Sequence, residues 1–294
     1  MRTDALPRVS FAAYGAVLLL SLLAGVYTEN PAWLLPPVGL VLAGIGILNI
    51  RFVFYSLLFF LPLNVEVELP GGFGTDLPGE FITVALMFLT FSYMLAPRER
   101  AFEPLLKSPL FFILLVHFAW IVFTTLTSSM FLVSLKFTLA KTWYIVTFVV
   151  LTTLIIRRLI DFRTAFWVLT LPLLATVVYT LIRHAAENFT FASVNQTMAP
   201  FYRNHVNYAA MIAEWLPFML LAVGWYARRS LNRRFLIAAT LVLTVGLIFS
   251  YTRSGWLAVI AAGGVALLVR MRLMRYAFLL AFIGAGIALW SAAG

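Results

Sequence analysis

Cysteine is absent from this 294-residue chain, which excludes disulfides and thiolate metal sites outright. Histidine is nearly absent. His117, His184 and His205 stand far apart, with no His-x-x-x-His or Glu-x-x-His pair to give a metal its ligands, so neither a metal nor another cofactor is expected. Charge is scarce too, at 11% of residues against 63% hydrophobic, and mean hydropathy is +0.99. A soluble domain of that composition would aggregate, so the chain reads as an integral membrane protein. Its long apolar runs lack the in-out alternation of barrel strands. A backbone in lipid must satisfy its own hydrogen bonds, so these runs are read as helices, and the expected fold class is an all-α polytopic membrane bundle. The net charge of +10 does not imply a nucleic-acid partner, because the basic residues fall in short clusters between apolar runs, where they report topology.

Taken in order, the apolar runs are Phe11–Val26, Trp33–Leu48, Phe52–Leu63, Phe81–Leu95, Pro109–Leu126, Phe137–Ile156, Thr164–Ile182, Val206–Ala227, Phe235–Ser250, Gly255–Val269 and Tyr276–Ala292. That makes about eleven spans, provided the second and third are separated at Asn49 and Arg51. With a cytoplasmic N-terminus, this division puts most of the basic residues inside, including Arg157, Arg158, Arg163, Arg228, Arg229, Arg233 and Arg234. Fusing the two runs would turn those clusters outward, against the positive-inside rule. Between the spans, Asn64–Glu80 is acidic and rich in Gly and Pro, which suggests turns. Ser128–Lys136 is expected to lie flat in the outer interface, and Arg183–His205 forms the longest outer segment. No internal repeat, low-complexity tract or soluble domain is evident, and residues 1–294 read as one transmembrane domain.

The outer side retains Lys136, Lys141, Arg183, Arg203 and Arg253 against a rule that removes cations from it. Such cations suit an anionic group at the membrane surface, a lipid-linked phosphate or diphosphate above all. Arg203 and Arg253 have the better claim, because each lies within a helical turn of a span and an arginine fork binds a diphosphate bidentately. Glu214, two turns below His205 inside a span, is costly without a partner, and a rim arginine would supply one. His117 sits mid-span and reads as a packing residue. His184 and His205 face the outer aqueous side, where an imidazole can act as a base. No Gly-rich phosphate loop, Ser-His-Asp set or paired-carboxylate motif is present.

Ser250-Tyr251-Thr252-Arg253-Ser254-Gly255-Trp256 is a polar island between two apolar runs. Its Tyr251-Thr252-Arg253-Ser254-Gly255-Trp256 portion closely resembles the Ser-Arg-Gly/Ala-aromatic motif of the O-antigen ligase and O-antigen polymerase superfamily. Arg203-Asn204-His205-Val206-Asn207-Tyr208-Ala209, followed by Glu214-Trp215-Leu216-Pro217, is similar to the segment preceding it in that family. The resemblance implies a bacterial inner-membrane enzyme that moves a glycan from undecaprenyl diphosphate to an acceptor such as lipid A core, or, as a polymerase, to another repeat unit. It implies that Arg203 and Arg253 hold the diphosphate, with Lys136, Lys141, Arg183, His205 and Glu214 as further candidates, and that no metal takes part. Ligases of the family carry their catalytic histidine in a large periplasmic loop after the corresponding spans. The base is therefore expected beyond Gly294, with His205 the weaker candidate within the chain, so that residues 1–294 are expected to bind donor without turning it over. A lipid-linked glycan transporter is the reading from another class. It would call for repeated halves and helices broken at mid-membrane, neither of which is found.

Overall fold

Six helices long and apolar enough to cross a membrane dominate the computed structural model, which describes residues 5–28, 33, 35–69, 73–95 and 103–293. The chain is a multi-pass helical membrane protein. Its contacts divide at Pro172 into two units, Met1–Pro172 and Leu173–Gly294.

The first unit begins with α1 (Ala5–Thr28) and α2 (Leu35–Phe60). Helix α2 is interrupted at Asn49, where φ is −151° and ψ is 80°. The Asn49 Oδ1 atom accepts the amide of Phe52 at 3.1 Å, as an N-cap does, so a new helix starts there. Arg51, two residues on, meets Asp161 at 3.5 Å, and Asp161 also accepts from the Arg158 amide (3.0 Å) and guanidinium (3.4 Å). The break in α2 and the basic turn at Arg157–Arg158 therefore share one level.

Strands β1 (Val65–Leu69) and β2 (Phe73–Leu77) follow as an antiparallel hairpin, with Val65 opposite Leu77 and Leu69 opposite Phe73. Turns were expected across this segment. The alternation in Val65-Glu66-Val67-Glu68-Leu69 is the period-two signal for the strands that flank them. Helix α3 (Gly79–Met94) packs on the second half of α2, and the short α4 (Glu103–Leu106) leads to α5 (Pro109–Leu126), opened by extended Ser108 with proline in the first turn.

Helix α6 (Phe131–Ile145) passes through a π-helical stretch, Val146–Leu151, into α7 (Thr152–Ile155), giving one 25-residue span. Ser128–Lys136, expected to lie flat, instead supplies a turn closed by Ser128 and the first turn and a half of this helix. The Thr147 hydroxyl, at the π stretch, donates to the Thr83 carbonyl of α3 at 3.1 Å. The core of the unit is Val53, Phe54, Leu57, Leu86, Leu151 and Ile155.

Helix α8 (Leu159–Ala186) carries the chain across Pro172 into the second unit, where α9 (Val194–Met198), α10 (His205–Val223), α11 (Leu231–Phe249), α12 (Arg253–Arg270) and α13 (Met274–Ala293) follow. Helix α10 is the hub of this unit, packing on both α11 and α12. Lipid tails are as apolar as leucine, so close packing rather than water exclusion holds such helices together. Gly246 allows it: a Cβ there would lie 2.5 Å from Tyr208 Oη and 2.9 Å from Val177 Cγ1. The buried Thr240 hydroxyl is satisfied by bonding back one turn, to the Leu236 carbonyl at 2.7 Å, whereas the buried Thr180 hydroxyl has no partner among the described residues.

Candidate functional site

The sequence-predicted residues of the second unit lie around one end of α10 and α12, and most of the polar side chains there serve to shape the backbone. Arg183, in the last turn of α8, donates from Nη1 to the carbonyls of Thr197 (3.3 Å) and Ala199 and from Nη2 to that of Gln196 (3.2 Å). These are the carbonyls left unpaired at the C-terminal end of α9, so Arg183 caps that helix. His184 is buried, its Nε2 donating to the Thr190 carbonyl at 3.0 Å, and the rings of Phe189, Phe249 and Tyr251 surround it. This is a packed, hydrogen-bonded histidine and not one open to the outer aqueous side, as the sequence reading had it. Tyr202 is likewise buried, sharing a 2.6 Å hydrogen bond with Thr176. Burial pushes its hydroxyl up to about 12, against a smaller opposing effect of that bond.

The polar island between α11 and α12 folds into a tight reversal. Tyr251 takes a φ of 55°, in the left-handed region, and is held there by its hydroxyl, which donates to the Phe189 carbonyl at 2.5 Å. Ser250 Oγ donates to Leu247 O (2.7 Å) and accepts from the Thr252 amide (3.2 Å), while Trp256 Nε1 donates to the same Leu247 carbonyl (2.8 Å). Gly255 lets α12 approach α10: an added Cβ would lie 3.3 Å from Ala209 Cβ and 3.1 Å from Leu247 Cδ1. Thr252 stands at the N-cap position of α12 without capping it, since its hydroxyl instead shares its proton between the His205 and Ser250 carbonyls, each at 3.2 Å. The two segments quoted from the sequence are joined by the bond to His205. Arg253 and Ser254, the first residues of α12, remain exposed, and Arg253 makes no hydrogen bond or ion pair among the described residues.

On the other side of the bond, Asn204 caps α10 by accepting the amides of Val206 (3.0 Å) and Asn207 (2.9 Å), and Arg203 is exposed just before it. Asn195 Oδ1 accepts both the main-chain N–H of His205 (3.1 Å) and its ring Nδ1 (2.7 Å). Because the main-chain N–H can only donate, the atom it meets must be the amide oxygen, and Nδ1 must carry the ring proton in the neutral imidazole. That leaves the Nε2 lone pair as the basic atom. The N-termini of α10, capped by Asn204, and of α12, uncapped, are thus joined, and they carry the oriented imidazole and the exposed Arg253. Such an arrangement can hold an anion and take a proton.

Beneath it runs a cavity of about 470 Å³ between α10 and α12, lined among others by Val206, Ala210, Glu214, Thr252, Ser254 and Ala258. Glu214 is exposed on α10 with no hydrogen bond or ion pair among the described residues, nine residues from His205 and thus about 13 Å down the helix. Lys136 and Lys141 belong to the first unit. Lys136 lines a cavity of about 540 Å³ with Thr75, Glu80 and Trp143, and Lys141 lies over the Phe137 ring at 5.3 Å. Among the described residues, no three His, Asp or Glu side chains are grouped to hold a metal ion.

Sequence reasoning missed Asn195 as the partner of His205, and named Tyr251 within the motif without the bond to Phe189 that fixes its turn. Asn195, on α9, acts across ten residues of chain and leaves no local signal. Asn204, directly before an apolar run, is a legible N-cap. Comparison with protein-family models, with curated proteins and with solved structures found no match to this chain.

Proposed function

We propose that this chain is the membrane core of an O-antigen ligase-like glycan transferase of the bacterial inner membrane, acting at its outer face on a donor linked to undecaprenyl diphosphate. The observation that carries the reading is the 3.2 Å bond from Thr252 Oγ1 to the His205 carbonyl, which joins the two segments that resemble the family. Arg203 and Arg253 hold the donor diphosphate, aided by the uncapped first amides of α12 and the Ser254 hydroxyl. Arg183 acts indirectly, by holding α9 and with it Asn195. Glu214 lies too far down α10 for the diphosphate and plays another part.

In transfer, the acceptor hydroxyl oxygen forms a bond to the anomeric carbon as the bond from that carbon to the diphosphate oxygen breaks. The arginines stabilise the charge growing on the leaving diphosphate. The acceptor proton goes to a base. Ligases of the family use a histidine of a large periplasmic loop as that base, whereas the Asn195–His205 geometry favours His205 Nε2. Acceptors are lipid A core for a ligase and a further repeat unit for a polymerase. The crossing number in this reading is eleven with the N-terminus cytoplasmic, made of the six long spans, four shorter apolar helices and the first half of α2.

The test is binding of a labelled undecaprenyl diphosphate-glycan to protein in nanodiscs. Charge-assisted hydrogen bonds contribute about 1.5–3 kcal/mol each, so Arg203→Ala or Arg253→Ala should weaken donor binding by about ten- to a hundredfold, with lysine restoring only part. Full donor affinity in the folded double alanine variant would overturn the reading.

A further inference from the structure

Two ionisable side chains stand exposed midway along spans: His117 on α5 and Glu214 on α10. Neither has a hydrogen bond or ion pair among the described residues, and Glu214 is the one carboxylate halfway along a candidate span there. Such groups are expensive in hydrocarbon and persist where something pairs with them. His117 lies nine residues before Leu126, the end of α5, and Glu214 nine residues after His205, the start of α10, so each is about 13 Å along its own helix from that end. In the crossing pattern proposed above, on which this inference rests, two spans separate α5 from α10 and those two ends belong to the same side of the membrane.

The surroundings are also complementary. Glu214 lines the groove between α10 and α12, whose lower walls are Ala210, Ala213, Ala258 and Ala262 and so admit a close helix approach. Helix α5 is the most apolar of the six long spans and only 11% of its span is buried, with Ile113 and Trp120 exposed to either side of His117. We infer that a second copy of this chain occupies the groove: α5 of one protomer docks between α10 and α12 of its partner, and His117 donates an imidazole N–H to the Glu214 carboxylate. Each copy carries both halves of the contact. A two-fold dimer forms it twice and leaves neither group in lipid.

Self-association is measured in bilayers by single-molecule photobleaching across a range of protein-to-lipid ratios. His117→Leu and Glu214→Leu should each raise the dissociation constant by about tenfold. A mixture of the two variants should bind more tightly than either alone, because the mixed dimer regains one pair. The exchanged chain, His117→Glu with Glu214→His, should also recover association, and it carries the test if the leucine variants fail to fold. As the protein has no cysteine, Trp120→Cys on one tagged copy and Ala258→Cys on another should cross-link without background, at the mass of a dimer. A monomeric wild type, unchanged association in the leucine variants, no cross-link at the mass of a dimer or a different protein in the groove would each overturn the proposal.

Discussion

At the scale of single residues, the chemistry is governed by which polar atoms are already in use. Arg183 and His184 spend their donors on loop carbonyls, whereas Arg253 and the His205 Nε2 atom remain open. Asn195→Ala should therefore release the imidazole from its fixed tautomer. If His205 is the base, transfer falls by about 10²–10⁴-fold while donor affinity holds, as kcat and binding measured separately would show. Equal transfer in Asn195→Ala and His205→Ala proteins and wild type would assign the base elsewhere. Tyr202 gives a pH prediction. Its folded value is raised to about 12 from an ordinary 10.0, so the stability linked to it is complete below about pH 10 and is lost as pH rises towards 12. Thermal unfolding followed across that range should show the loss, and Tyr202→Phe should lessen it.

Among the elements, small residues decide which helices touch. Gly246→Ala pushes a methyl group against Tyr208 and Val177 and should destabilise the packing of α11 on α10 by about 1–3 kcal/mol. Gly263→Ala, with open space around it, should leave thermal unfolding nearly unchanged; equal effects at the two positions would contradict this packing. Removing the cap on α9 by Arg183→Ala should loosen residues 187–204, seen as faster proteolysis there with the spans intact. The helices themselves were largely legible from hydropathy, as was the break at Asn49–Arg51 from charge. The hairpin was not, because two short strands of alternating acids and aliphatics are faint beside runs of fifteen or more apolar residues. Helix α8 also extends past both ends of the run Thr164–Ile182: Asp161 and Arg183, which hydropathy excludes, are held inside it by hydrogen bonds.

For the whole molecule, the proposed orientation puts Asn64–Glu80 and Arg183–His205 outside and Arg157–Arg163 and Arg228–Arg234 inside. Single cysteines in these segments, labelled with an impermeant reagent in spheroplasts, give a direct readout, since there is no native thiol. Labelling at Arg228–Arg234 with none at Arg183–His205 would reverse it. The dimer inferred from His117 and Glu214 belongs to this scale too, because neither group finds its counterpart within its own helix.

Composition alone determined that this is a helical membrane protein, because hydropathy sums over residues and needs no contact to be read. The same holds for the spans, the clustered arginines between them and the two segments that invite a functional reading. Only the tertiary structure decided what each polar side chain does. Arg183 and Arg253 are equivalent by charge, yet one is engaged by three carbonyls fourteen residues or so away while the other stands open at a helix start. His184 and His205 differ in the same way, one enclosed by aromatic rings and the other oriented by Asn195. The reason is physical: a hydrogen bond is set by distance and direction between atoms far apart in the chain, and those exist only once α8, α10 and α12 have packed.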